Sequence, residues 1–198
     1  AFLTEYQDAG WAARYRERVE RVRECDARLA DAVARSLFKL MAYKDEYEVA
    51  RLFTETGFVE RLAARFEGPY TVKHHLAPPF LPGRRDARGR PKKRVFGGWV
   101  RGPMRLLARM KGLRGTVFDP FGYTAERRME REMIALYERV VDRMLEAPGD
   151  AEEMLRIARL PQGVRGFGPV KEDAAREAMA AFEAFLEAPA PKVLRKAG

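Results

Sequence analysis

Residues 124–149 are TAERRMEREMIALYERVVDRMLEAPG, and this stretch decides the fold class. Its apolar residues recur at helical spacing and form a wide apolar face over about six turns: Met129, Met133, Ile134, Tyr137, Val140, Val141, Met144 and Leu145. Thr124 is a suitable N-cap, and Pro148-Gly149 ends the pattern. The stretch therefore predicts a long amphipathic helix.

Shorter amphipathic patterns lie on both sides of this helix. They predict helices at Glu5–Cys25, after a cap at Asp26, at Tyr43–Gly57, at Phe58–Phe66, at Pro103–Gly112, from a cap at Asp150 to Pro161, and at Val170–Leu186. The chain should therefore be mainly α, with a multi-helix, bundle-like domain. No internal repeat interrupts this organisation.

The sequence changes character around residues 70–98. Tyr70–Leu76 has β-branched and aromatic residues near a period of two, which predicts a short strand, and Val95-Phe96 predicts a returning one. Between them, three prolines in Ala77–Gly83 favour extended backbone. We therefore expect one helical domain, residues 1–198, with a small β or extended insert around residues 70–98 that contains a basic loop, residues 84–94.

Composition limits the class of protein. Hydrophobic residues are 46% of the 198 and charged residues 34%, which is typical of a globular chain. Apolar runs are far too short to span a membrane, and Cys25 is the single cysteine, so we expect a reducing, cytoplasmic compartment. The N-terminus lacks a start Met and enters helical sequence at once, so we expect a piece of a longer polypeptide.

Positive charge is concentrated in one segment. Lys73–Arg114 holds thirteen Lys/Arg and one acid, Asp86, for a net +12, whereas the rest of the chain is −3. The candidate anion or partner surface consists of Lys73, His74, Arg84, Arg85, Arg88, Arg90, Lys92, Lys93 and Arg94. It could face nucleic acid, a phosphorylated ligand, an acidic partner or acidic parts of the same protein. Because 84–94 contains no aromatic residue, the pattern disfavours nucleic acid.

The sequence contains few other residues or motifs that indicate a reactive site. Adjacent strand residues point to opposite faces, so we expect one of His74 and His75 to be packed and the other exposed. Phe118, Phe121 and Tyr123 surround the turn signal Asp119-Pro120, and we expect all three rings to fill a gap between helices. Nucleotide-binding, zinc-protease and nucleophile-elbow motifs are all missing, so we expect no catalytic, cofactor-binding or metal-binding residue in this chain.

Five runs are more specific than their composition. They are Tyr43–Arg51, His74–Pro79, Lys111–Gly115, Phe118–Arg128 and Arg165–Lys171. In this order and spacing, over nearly the whole chain, the sequence resembles the C-terminal region of the long, fused indolepyruvate:ferredoxin oxidoreductases of bacteria. The resemblance implies a parent enzyme that oxidatively decarboxylates aryl-pyruvates to acyl-CoA and reduces ferredoxin. It also implies thiamine diphosphate, Mg²⁺ and iron–sulfur clusters in that parent.

None of the family's catalytic equipment can be transferred to this sequence. Cys25 alone cannot hold a cluster, and the thiamine diphosphate motif requires asparagine, which this chain lacks entirely. Two functions remain open. The chain is either a structural and interaction domain that packs on the remainder of the parent, or a basic surface that helps bind CoA phosphates or acidic ferredoxin. A third possibility, a nucleic-acid module, is disfavoured as above.

Overall fold

The computed structural model describes residues 1–78, 92–166 and 168–189. Within these residues, the fold contains α1 (Phe2–Tyr6), α2 (Ala9–Cys25), α3 (Ala27–Met41), α4 (Glu46–Thr54), α5 (Phe58–Ala63), β1 (His74–Leu76), β2 (Arg94–Phe96), α6 (Arg101–Arg109), α7 (Ala125–Glu146), α8 (Ala151–Gly163) and α9 (Pro169–Glu187). Two 3₁₀ turns, Gly98–Val100 and Met110–Leu113, flank α6. The prediction of a mainly α fold with a small extended insert is confirmed.

The chain divides into two compact units. Unit 1 consists of Ala1–Tyr43 and Ala125–Gly198, and unit 2 consists of Lys44–Thr124. Unit 2 is therefore inserted in the sequence between the two halves of unit 1. The expectation of one domain over residues 1–198 stays a prediction.

Unit 1 is built around α3 and α7. Helix α3 packs against α2, α7 and α8, while α9 packs against α7 and α8. The core contains side chains from five of these helices that are almost completely buried: Val22, Val33, Leu37, Met41, Ile134, Tyr137, Val140, Val141, Ile157, Ala175 and Phe182. The wide apolar face of α7 is thus covered by helices from both halves of the unit.

Aspartates begin three helices of unit 1. The side chains of Asp8, Asp26 and Asp150 accept hydrogen bonds from backbone N–H groups in the first turns of α2, α3 and α8. The prediction of one continuous helix over Glu5–Cys25 was wrong, because the chain is interrupted at Asp8. The Asp8 carboxylate bonds the N–H of Trp11 at 2.7 Å and starts a new helix, which separates α1 from α2.

Unit 2 combines a helix pair with a hairpin. Helix α4 packs against α6. The small buried core of unit 2 consists of Ala50, Val100, Met104 and Ala108. Strands β1 and β2 pair antiparallel, with His74 opposite Phe96 and Leu76 opposite Arg94. The two expected strands are therefore present in unit 2. The first is shorter than the predicted Tyr70–Leu76, and the second begins one residue before the predicted Val95-Phe96.

Candidate functional site

The predicted basic surface is only partly within the described residues. Arg84, Arg85, Arg88 and Arg90 lie outside them. Lys73, Lys92, Lys93 and Arg94 are exposed, whereas His74 is 2% exposed. His75 is exposed, so the prediction of one packed and one exposed histidine is confirmed.

The hairpin register separates the described members of this surface. Lys73 precedes β1 at the end where His74 faces Phe96, whereas Lys92 and Lys93 precede β2 at the opposite end. Each residue advances a strand by about 3.3 Å, so the ends of this three-residue ladder are about 7–10 Å apart. That is about one Debye length in physiological salt. Among the described residues, the register therefore places Lys73 at one end of the ladder and Lys92 and Lys93 at the other.

His74 lies in an apolar environment. Its ring meets the Phe53 ring of α4 edge-on, with centroids 5.1 Å apart. Neither ring nitrogen has a hydrogen-bond partner among the residues that the structure describes. Burial, with a further contribution from the charge of Arg101, lowers the pKa of His74 below its ordinary value of 6.5.

This lowered pKa predicts acid sensitivity that depends on His74. As pH falls below 6.5, the unfolded chain takes up a proton at this ring before the folded chain does, so the free energy of unfolding decreases. We expect His74→Phe to remove that contribution and His75→Gln to retain it. Urea unfolding at pH 7.5 and 5.5 measures the difference. Parallel pH dependence of wild type and His74→Phe contradicts the prediction.

A buried polar network joins α4 to the segment after α6. Asp45 caps α4 by accepting from the N–H of Glu48 at 2.8 Å, and its carboxylate also accepts from Arg114 at 2.5 and 3.1 Å. Both side chains of this ion pair are only 2% exposed. The Arg114 guanidinium lies over the Tyr47 ring, 5.5 Å from its centroid. These contacts hold the chain that leaves α6 against α4.

The same network fixes the loop 115–123. The Asp119 carboxylate accepts hydrogen bonds from the Tyr47 hydroxyl at 3.0 Å and from the backbone N–H groups of Gly115 at 2.8 Å and Phe121 at 3.1 Å. Burial, and then the bond to Asp119, raise the pKa of Tyr47 far above its ordinary value. A Cβ at Gly122 would lie 2.8 Å from the Asp119 carboxylate, so this close approach requires glycine. The loop is therefore well ordered by a buried acid.

The tip of this ordered loop is apolar and faces solvent. Val117 is 75% exposed and Phe118 is 76% exposed, while Phe121 is 5% exposed and packs on Tyr47. Tyr123 is 63% exposed, and its hydroxyl donates to the carbonyl of Val117 at 2.7 Å. The prediction that all three rings fill a gap was wrong for Phe118 and Tyr123. Asp119 ties down the loop's base and only Phe121 turns inward.

A second exposed apolar feature lies on the first helical segment after the hairpin. Trp99 and Leu106 are 68% and 63% exposed and seven residues apart, so they share one side of the segment 98–109. Arg105 and Arg109, also exposed, lie beside them on α6. Apolar residues flanked by arginines are a composition enriched at protein interfaces.

In unit 1, the ionisable groups pair with one another. Arg14, Arg18 and Arg21 of α2 line a polar groove of about 500 Å³ and bond Glu138 and Asp142 of α7. Nearer the start of α7, buried Glu130 bonds Arg127 of the same helix and Lys171 of α9. This second cluster was not predicted, because charged residues that follow one another along a helix are usually solvent-exposed, whereas Arg127 and Glu130 are buried. We assign both clusters to stabilising unit 1.

The described residues contain neither a candidate metal site nor a candidate membrane span. Across 1–78, 92–166 and 168–189, no three His, Cys, Asp or Glu side chains are grouped so that they could hold a metal ion. No helix in these ranges has the length and apolar character required to cross a bilayer.

Comparison with known proteins identifies the family of the chain. No curated protein and no solved structure matches the chain. A family model does match, and it covers residues 1–184, which include all of unit 2 and most of unit 1. The chain therefore belongs to the family of unknown function DUF6537.

Proposed function

We propose that this chain is a C-terminal, non-catalytic structural and interaction domain of an enzyme that resembles the fused indolepyruvate:ferredoxin oxidoreductases. In this proposal, unit 2 docks on the remainder of the same polypeptide through Val117 and Phe118. The five sequence runs described above support the choice of parent. A cytoplasmic location is part of the proposal, and so is the placement of thiamine diphosphate, Mg²⁺ and the iron–sulfur clusters on other parts of the parent.

The observation that carries the proposal is the ordered, exposed loop tip. A large apolar side chain in water is unfavourable, and burying Phe118 in a partner would recover that free energy. Asp119 and Tyr47 already hold the backbone, so docking would order few additional torsions. Exposed aromatic anchors on rigid supports are typical of the residues that dominate binding energy.

Charge indicates what the partner surface is like. Unit 2 contains 17 Lys/Arg and eight Asp/Glu, a net +9, whereas unit 1 contains 21 of each and is neutral. The whole excess positive charge of the chain thus belongs to the unit with the exposed loop. We therefore expect Val117 and Phe118 to enter an apolar depression whose rim is acidic.

Replacing Phe118 with alanine tests this docking. We expect the 198-residue chain with Phe118→Ala to bind the separately expressed remainder of the polypeptide about 30-fold more weakly or worse, as for an interface hot spot. Calorimetry or biolayer interferometry measures the change. Phe66→Ala is the matched control, since Phe66 is also an exposed phenylalanine of unit 2, at 54%, but lies outside the loop. Equal affinities for the two variants count against docking through the loop.

Acidic ferredoxin is the second candidate partner, favoured by the same +9 of unit 2. Binding of ferredoxin to the isolated chain that weakens steeply with salt, with no binding of the remaining polypeptide, favours this alternative. The parent activity is tested separately. The complete polypeptide should reduce ferredoxin when given indolepyruvate and CoA, and failure to do so contradicts the choice of parent without affecting the docking result.

A further inference from the structure

His74 is a buried polar group that the fold does not use. Among the described residues, no donor or acceptor lies within hydrogen-bond reach of either ring nitrogen. The ring is 2% exposed, so bulk water does not satisfy it. Buried polar side chains in folded proteins nearly always have partners, and an exception requires an explanation. A bound ligand is one such explanation.

A second group without a partner lies close to the first. The Nε atom of Arg101 is buried and has no hydrogen-bond partner in the described part of the chain. Its charge is near enough to lower the pKa of His74. The two side chains come from different elements, β1 and the first residue of α6. Arg101 is only partly buried, but its Nε and both His74 ring nitrogens are closed to solvent, so a ligand reaches them only when the Arg101 side chain moves.

The start of a helical segment adds backbone donors to this place. Phe96 lies opposite His74 in the hairpin, and the next residue, Gly97, is the N-cap of the turn that continues into α6. Neither Gly97 nor Val100 supplies a side-chain cap bond. The first N–H groups of a helical segment lack intrahelical partners and favour anions. The place where a Cβ would stand on Gly98 has no atom within 4 Å, so a ligand can approach closely.

We propose that His74, Arg101 and the backbone N–H groups at Gly98 and Trp99 bind the phosphate group of a small molecule. A phosphate oxygen can accept from several donors at once, and the planar guanidinium matches two of them. The imidazole donates through one N–H and, once it takes up a proton, through both nitrogens.

This proposed phosphate site consists mostly of residues that differ from those of the predicted basic surface. Of that surface it retains only His74, and it adds Arg101, which the sequence pattern did not single out. It is also separate from docking through the loop 115–123, so either proposal can fail without the other.

Histidine-selective NMR of the 198-residue chain tests the site directly, because the protein contains only His74 and His75. The probe is inorganic phosphate at constant ionic strength, with sodium chloride as the salt control and His75→Gln to assign the two signals. We expect a saturable shift of the His74 ring signal and a rise in its pKa, with the His75 signal unchanged. A titration with AMP then distinguishes free phosphate from a phosphate monoester on a nucleoside, by which of the two binds more tightly.

Arg101→Met retains the aliphatic stem and should weaken phosphate binding about tenfold or more. Arg105→Met, an exposed arginine of the same helix, is the matched control and should leave the affinity unchanged. The proposal is overturned if phosphate and chloride shift the His74 signal equally, or if Arg101→Met and Arg105→Met have the same effect. The wild-type titration decides the matter alone if a variant does not fold.

Discussion

Arg114→Met is expected to destabilise unit 2 by about 3–5 kcal/mol, because it leaves the Asp45 carboxylate buried without its counter-charge. Both members of this pair are 2% exposed, and the arginine also covers the Tyr47 ring. The methionine side chain retains most of the apolar stem, so the loss reports the charge pair rather than a cavity. Hydrogen exchange of amides in 44–78 and 92–124 measures the effect within unit 2.

An exposed ion pair provides the control for this variant. Arg156 bonds Glu153 at 2.7 and 2.8 Å on the surface of α8, and Arg156→Met should cost at most about 1 kcal/mol. Adding Asp45→Asn to Arg114→Met should recover part of the stability, since asparagine is neutral and still caps α4. If unit 2 of Arg114→Met exchanges like the wild type, the pair does not contribute as described.

Phe182→Ala is expected to destabilise unit 1 by about 3–5 kcal/mol. Phe182 of α9 is completely buried, and its ring centroid lies 5.4 Å from that of Tyr137 on α7. Removing the ring leaves a cavity where α9 closes the core, and the aromatic contact is also lost. Urea unfolding followed by circular dichroism measures the change in the free energy of unfolding.

Phe118→Ala is the matched control in the same chain, because it removes the same side chain from a position that is 76% exposed. Its effect on stability should lie within about 0.5 kcal/mol. Together with the binding assay, Phe118→Ala distinguishes a phenylalanine that binds a partner from one, Phe182, that stabilises the fold. Equal destabilisation by both substitutions is incompatible with the burial described for α9.

Local patterns predicted most of the helical elements. The spacing of Met133, Tyr137, Val140 and Met144 indicated α7 correctly, and Asp26 and Asp150 cap the helices expected after them. These signals depend only on residues within a few turns, which a sequence displays directly. Pro161 was expected to stop α8, but the helix continues to Gly163. Its last turn tolerates a residue without an N–H group.

Tertiary partners were harder to predict than elements. Glu130 and Lys171 are 41 residues apart, and no periodic pattern connects a buried acid on α7 to a lysine on α9. The exposure of Phe118 was also hard to predict, because an aromatic residue beside a turn is equally compatible with a buried and an exposed position. The turn signal Asp119-Pro120 indicated a tight loop, but only the structure shows that Val117 and Phe118 at its tip are about three-quarters exposed.

The insertion of unit 2 within unit 1 has a consequence for biosynthesis. When α2 and α3 leave the ribosome, α7 and α8, which pack against them, have not been made. At 5–20 residues per second, the intervening 81 residues take about 4–16 s to translate. Unit 2 has all of its packing partners within this interval and can fold first. The nascent α2–α3 pair must therefore keep its apolar sides from aggregating until α7 and α8 emerge.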